Sequence, residues 1–301
     1  MKKNYSLITG YIMAAIVVSI WSGFIVVSRY GATHALTNYD LIALRYGVAT
    51  LVSIPVWWLF SSRIPFLNFR YFCLALFGGF FYAICAFSGF ALAPANHAAV
   101  FLPGFMPVAI SLCLWLLLGV TVRGKQLLAI GIISAGIVLL AANTLTVSTE
   151  TLKGDLLFMC GALSWGVFNA LLKKWQPDPF ATVAAVSLFT TMIYLPAYFV
   201  FLPSNISVAP TSEIILQAGY QGILAAVIQL LLYVNAVKII GASNMAITMA
   251  FIPVLAAMLA VPVLNETFTL FIGLSLLCVT GGAIFGNIEG NKNPSGTQQS
   301  P

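Results

Sequence analysis

The chain is a succession of ten apolar runs, at residues 8–29, 40–60, 70–92, 96–119, 125–143, 154–175, 180–202, 214–239, 243–264 and 268–286. A helix needs about 20 apolar residues to cross a bilayer, and in hydrocarbon it is one of the two structures that pair all of their own backbone polar groups. The runs predict an all-α polytopic membrane protein with ten transmembrane helices. Composition agrees: 61% of the residues are hydrophobic and 7% charged, too little charge to clothe a soluble surface.

The 13 Lys and Arg against 7 Asp and Glu give a net charge of +6. On a soluble chain this would suggest nucleic acid, but the basic residues here sit at the ends of apolar runs and form no stripe with interleaved aromatics. Their distribution sets topology. With the N-terminus inside, Lys2, Lys3, Arg63, Arg70, Arg123, Lys125, Lys173, Lys174, Lys238 and Lys292 fall on the inner side, against Arg29 and Lys153 outside, with Arg45 inside a run. An even number of spans then places both termini in the cytoplasm. The first run follows Lys2 and Lys3 like a signal peptide, yet it outruns a 7–15-residue h-region and no A-x-A site follows, so it reads as retained. The polar, turn-rich segment 287–301 reads as a disordered cytoplasmic tail. Cys73, Cys85, Cys113, Cys160 and Cys278 lie within apolar runs without C-x-x-C spacing, as small hydrophobes.

The chain also repeats itself. Gly10, Trp21, Phe24 and Arg29 return 144 residues later as Gly154, Trp165, Phe168 and Lys173. Phe105-Met106-Pro107-Val108 returns as Phe251-Ile252-Pro253-Val254, 146 residues on. Two five-span halves follow, 1–148 and 149–286. Because five is odd, the second half enters the membrane from the opposite side, so the repeats are inverted, the layout of many secondary transporters.

The run from Gly222-Ile223-Leu224 through Tyr233, Ala236, Gly241-Ala242-Ser243, Pro253-Val254 and Asn265-Glu266-Thr267 resembles the second repeat of the drug/metabolite transporter superfamily, EamA branch. Trp21-Ser22-Gly23 and Leu44-Arg45-Tyr46 resemble the first repeat more loosely. The likeness spans roughly residues 8–286. One departure stands out: Val120 occupies the position that Glu266 holds in the second half. The resemblance implies a ten-span exporter with a central cavity formed by spans one, three, four, six, eight and nine.

Within those spans the candidates for recognition are aromatic and amide side chains at mid-depth: Trp21, Ser22, Tyr82, Trp165, Asn169, Gln229 and Tyr233, with Ser164 and Asn235 beside them. Amides in lipid must face water, cargo or another helix, so each is also a candidate for interhelical glue. Trp165 and Asn169, one turn apart, put a flat apolar surface and an amide on one face. Trp21 is the repeat partner. Pro107 and Pro253 each remove a backbone donor and are expected to kink their helices around the cavity. Arg45 is either a ligand for an anionic group or, the default expectation, an arginine that snorkels or pairs with Asp40 or Glu266.

All seven acids lie near the ends of runs, so no mid-membrane carboxylate offers itself as a proton carrier, and His34 and His97 read as wetted interfacial residues. Neither a metal-ligand cluster nor a nucleophile with its base is visible at depth. That argues against an intramembrane enzyme and against any cofactor. The expected function is a secondary transporter exporting a small neutral or zwitterionic metabolite, an amino acid or similar compound, across a bacterial inner membrane. Efflux of hydrophobic drugs is the alternative. The expected partners are a small-molecule substrate and the bilayer. Gly282 and Gly286 form a G-x-x-x-G read first as internal packing, with a monomer, and second as a homodimer contact. Asn205-Ile206-Ser207 is a glycosylation sequon in form only.

Overall fold

A computed structural model describes residues 6–60, 68–122, 124–145, 148–240 and 242–287. Lys2, Lys3, Arg63, Arg123 and Lys292, half of the basic residues assigned inside, and the tail from 288 lie outside the described residues. Among the described residues, nine helices are long and apolar enough to cross a membrane: α1 (Leu7–Thr33), α2 (Asn38–Leu59), α3 (Phe69–Leu92), α4 (Ala95–Leu118), α5 (Lys125–Thr144), α6 (Thr149–Trp175), α7 (Pro179–Phe201), α8 (Thr211–Val237) and α9 (Ile247–Leu264). A tenth, α10 (Leu270–Gly286), is apolar but shorter. Their starts are encoded locally. Ser6, Asn68, Ser148 and Asp178 each accept a backbone N–H of the following turn, and Pro179 occupies the first turn of α7 where no donor is needed.

The packing partners obey an exchange rule. α1 packs on α8 and α9, and α6 packs on α3 and α4; α2 packs on α8 as α7 does on α3; α2 meets α7 and α5 meets α10. Adding or subtracting five turns every pair into another member of the set, as two inverted five-helix repeats around a pseudo-two-fold axis require. The halves are therefore interlocked, and most of the core lies between them.

Local backbone irregularities follow the same symmetry. π-Helical stretches occupy Leu76–Phe80 in α3 and Ala218–Ile228 in α8. α4 is interrupted after the π-helical Val100–Gly104, and α9 is broken at Ala250–Phe251. Phe105 (φ −81°, ψ −17°) and Phe251 (φ −80°, ψ −11°) adopt nearly the same backbone angles. The two helices then end on left-handed residues at matching places, Gly119 (φ 67°) and Asn265 (φ 53°), the two residue types that tolerate that conformation best.

Pro107 and Pro253 lie in the first turn of the resumed helices and not in mid-helix. The expected kink is thus a complete break, with each proline starting the new segment where its missing N–H costs nothing.

Gly282 and Gly286 face α5. A Cβ built on Gly282 would come within 2.8 Å of Ile133 Cγ1 and 3.1 Å of the Ala129 carbonyl oxygen, while one on Gly281 would meet nothing. Replacing Gly282 by Val should therefore destabilise the protein by about 1–3 kcal/mol through overpacking, read as a lower melting temperature in detergent. Gly281→Val, adjacent but lipid-facing, should melt close to the wild type; equal melting of the two variants would refute the close α5–α10 approach.

Candidate functional site

A cavity of about 910 Å³ lies between the two halves. Trp21, Tyr82, Trp165, Asn169, Gln229, Tyr233, Pro107, Pro253 and Arg45 all line it. Its centre is aromatic. Trp21 meets Trp165 edge-on with ring centroids 6.0 Å apart, Tyr82 lies 5.2 Å from Trp165, and Phe168 lies 4.9 Å from it on the same helix. Residues exchanged by a two-fold axis can touch each other only near that axis. The Trp21–Trp165 contact therefore places the axis at the middle of the cavity.

The polar groups are fewer. Asn169 donates its Nδ2–H to the Trp165 carbonyl at 2.8 Å, which fixes the amide and leaves its oxygen as an acceptor. Gln229 is buried against the cavity, and its amide finds no hydrogen-bond partner among the described residues. Ser22 is not part of the lining. Its hydroxyl is fully buried and donates to the carbonyls of Val18 and Ile252, joining α1 to the break in α9. Ser164 likewise donates to the Phe77 carbonyl in the π-helical stretch of α3, and Asn235 is exposed and bonded to its own helix. These three are structural contacts, a fate that residue type and depth alone do not distinguish from lining.

Arg45 departs from its default expectation. It pairs with neither Asp40 nor Glu266; its Nη1 donates to Gln221 Oε1 at 3.0 Å, and its guanidinium stacks over Phe24 at 5.0 Å. Both acids are already committed. Asp40 is fully buried and accepts from the Tyr198 hydroxyl, the Ser204 hydroxyl and the backbone N–H groups of Thr37 and Asn205. Glu266 accepts from the N–H groups of Ala95 at 2.6 Å and Asn96 at 3.0 Å, with Arg29 Nε 4.0 Å away.

Asp40, Asp155 and Glu266 are thus near span ends along the chain yet not peripheral in space, whereas Glu150 is exposed. Asp155 is 1% exposed and faces His97 Nδ1 at 3.1 Å, so His97 is a partly buried pairing residue and not a wetted interfacial one. Position in the sequence misleads here because loops and neighbouring helices fold over the ends of the spans. His34, in contrast, is exposed.

These contacts gather at one end of the molecule. Arg29 donates to the Phe90 carbonyl at 2.6 Å, Asn96 Nδ2 to the Thr267 carbonyl at 3.0 Å, and the Ala35 N–H to Glu213. None of these residues lines the cavity, which extends instead to Val120, Lys173, Gln176 and Pro177 at the opposite end. One end is tied shut and the other admits the cavity.

The EamA-like transporter family matches the chain twice, over residues 8–142 and 152–288. The chain belongs to that family. Its EamA repeats coincide with the halves that the packing exchanges, and membership makes it a multi-pass membrane transporter of small solutes. No curated protein matches the chain. A solved structure described only as a crystal structure of a protein is similar over 93% of this chain and 98% of its own, with a TM-score of 0.65 at 20% identity, a likeness of fold alone.

Sequence reasoning passed over Phe24, Phe168 and Gln221. The first two stood in the 144-residue register, a signal for site membership as well as for duplication. Gln221 was signalled by its spacing from Gln217, two amides one turn apart inside an apolar run.

If Glu266 ties the closed end, Glu266→Ala leaves two N–H groups without their acceptor. Amide hydrogen exchange at Ala95 and Asn96 should then accelerate by about tenfold or more; unchanged exchange would show that Glu266 does not hold this end.

Proposed function

We propose that this protein is a secondary transporter that exports a small neutral or zwitterionic metabolite, an amino acid or similar compound, across a bacterial inner membrane by alternating access. The observation that carries the reading is the cavity on the pseudo-two-fold axis, lined by both halves, reaching the Lys173 end and absent from the Arg29 end. Inverted halves around a site on the axis can exchange conformations, which opens the other end while the cargo stays in place. The excess of basic residues at the Lys173 end makes that end cytoplasmic, with both termini inside, so the conformation is inward-open.

In this reading the cargo lays its apolar part on Trp21, Tyr82 and Trp165, and meets the amides of Asn169 and Gln229 and the phenol of Tyr233. Pro107 and Pro253 mark the points where α4 and α9 pivot. One chain supplies every wall of the cavity, and the G-x-x-x-G face of α10 is occupied by α5, so a monomer suffices. The work is movement and not bond-making.

The two ends differ in how firmly they close. At the periplasmic end Glu266 caps the start of α4 and faces Arg29. Its counterpart for the cytoplasmic end is Val120, so Lys173 has no equivalent acid to meet. The protein accordingly rests with its periplasmic end closed.

Trp165→Ala and Asn169→Ala should each lower counterflow of radiolabelled neutral amino acids in proteoliposomes by about tenfold without loss of folded protein. Asn235→Ala, outside the cavity, should keep wild-type rates. Full activity in both cavity variants would remove the site assignment.

A further inference from the structure

We propose that Arg45, held in place by Gln221, forms an anion subsite in the cavity wall that takes the carboxylate of the cargo. The proposal rests on the transport reading above and narrows its substrate class. A guanidinium inside a membrane protein is costly unless it is paired, and among the described residues no carboxylate approaches within 4 Å of Arg45. The two acids that could serve are held elsewhere, Asp40 by four donors and Glu266 by two N–H groups and Arg29.

The surroundings hold the cation ready. Gln221 is fully buried, and its Nε2 donates to the Ser28 hydroxyl at 2.9 Å and lies 3.4 Å from Gln217 Oε1, which turns its Oε1 toward Arg45. Nη1 is thereby engaged and Phe24 covers one face of the guanidinium. Nε is buried with no partner. The charge of this cavity-lining guanidinium is thus incompletely satisfied by the protein, and a guanidinium is the side chain best suited to take a carboxylate. Phe24 lies one turn from Trp21 on α1, so a carboxylate on Arg45 leaves the rest of a small molecule over the Trp21–Trp165 pair.

The test uses 3-phenylpropionate and its isosteric neutral analogue 3-phenylpropanamide, titrated calorimetrically into purified full-length protein. The wild type should bind the acid at least about tenfold more tightly than the amide. Gln221→Glu sets a fixed carboxylate against Arg45 with almost no change in shape, and Arg45→Gln removes the charge; either should bring the two affinities within about twofold of each other. Equal affinities in the wild type, no binding of the acid, or an acid preference that survives both substitutions overturns the subsite. Counterflow of the same compounds separates the two claims. Acid and amide crossing at equal rates would remove the subsite and leave the transporter, whereas acid-selective binding without passage of either compound would remove the transport reading and leave the subsite.

Discussion

Hydrocarbon offers no partner to a backbone N–H or C=O, and each group left unpaired there costs several kcal/mol. The ten apolar runs must therefore be helical, and irregular backbone is admissible only where protein or a water-filled cavity receives it. The irregular places obey this. Gly78 from the π-helical stretch of α3, Pro103 and Gly104 before the break in α4, Ala225 and Ala226 from α8, and Met249 and Ala250 at the break in α9 all line the central cavity. The breaks come in repeat-related pairs, so the same constraint that makes the spans helical also confines the points where they bend to the two sides of the axis.

Symmetry then governs what the site can be. A residue pair exchanged by the axis meets only on it, and Trp21 and Trp165 do so at the centre of the cavity. Trp21 and Phe24 are thereby matched by Trp165 and Phe168 across the axis, while Tyr82 has no aromatic counterpart. Arg45, its Gln221 partner and the Glu266 cap have no such duplicates. Recognition of charge and closure of the ends are where the two halves have diverged, with Val120 against Glu266 as the plainest case.

The architecture was legible because its causes are local or countable: apolar length for the spans, odd parity for the inversion, and a rare residue in register for the duplication.

 Trp21, Tyr82, Trp165, Asn169, Gln229 and Tyr233 were found from depth and side-chain type, since an aromatic or amide at mid-span has few other places to go. Ser22 was not, because a serine is small enough to bond a carbonyl on its own helix and one on its neighbour and so disappear into packing. The partners of Arg45, Asp40 and His97 were illegible for a different reason. They join residues 58 to 176 positions apart, and no spacing rule reaches across halves that interlock.

The placement of charge ties these features together. The acids Asp40, Asp155, Glu213 and Glu266 are all engaged at the Arg29 end, where hydrogen bonds from backbone and side chains satisfy them. The cavity is left with cations, Arg45 in its wall and Lys173 where it reaches the opposite end. A cleft with low-dielectric walls and one sign of charge raises the local concentration of the opposite sign. The basic residues that orient the chain in the bilayer therefore also favour entry of a solute carrying an anionic group from that side. Once such a group reaches Arg45 the cavity is closer to neutral, and a site closer to neutral is less costly to seal from water. On the proposed reading, cargo binding and closure of that end are then coupled through the same charge.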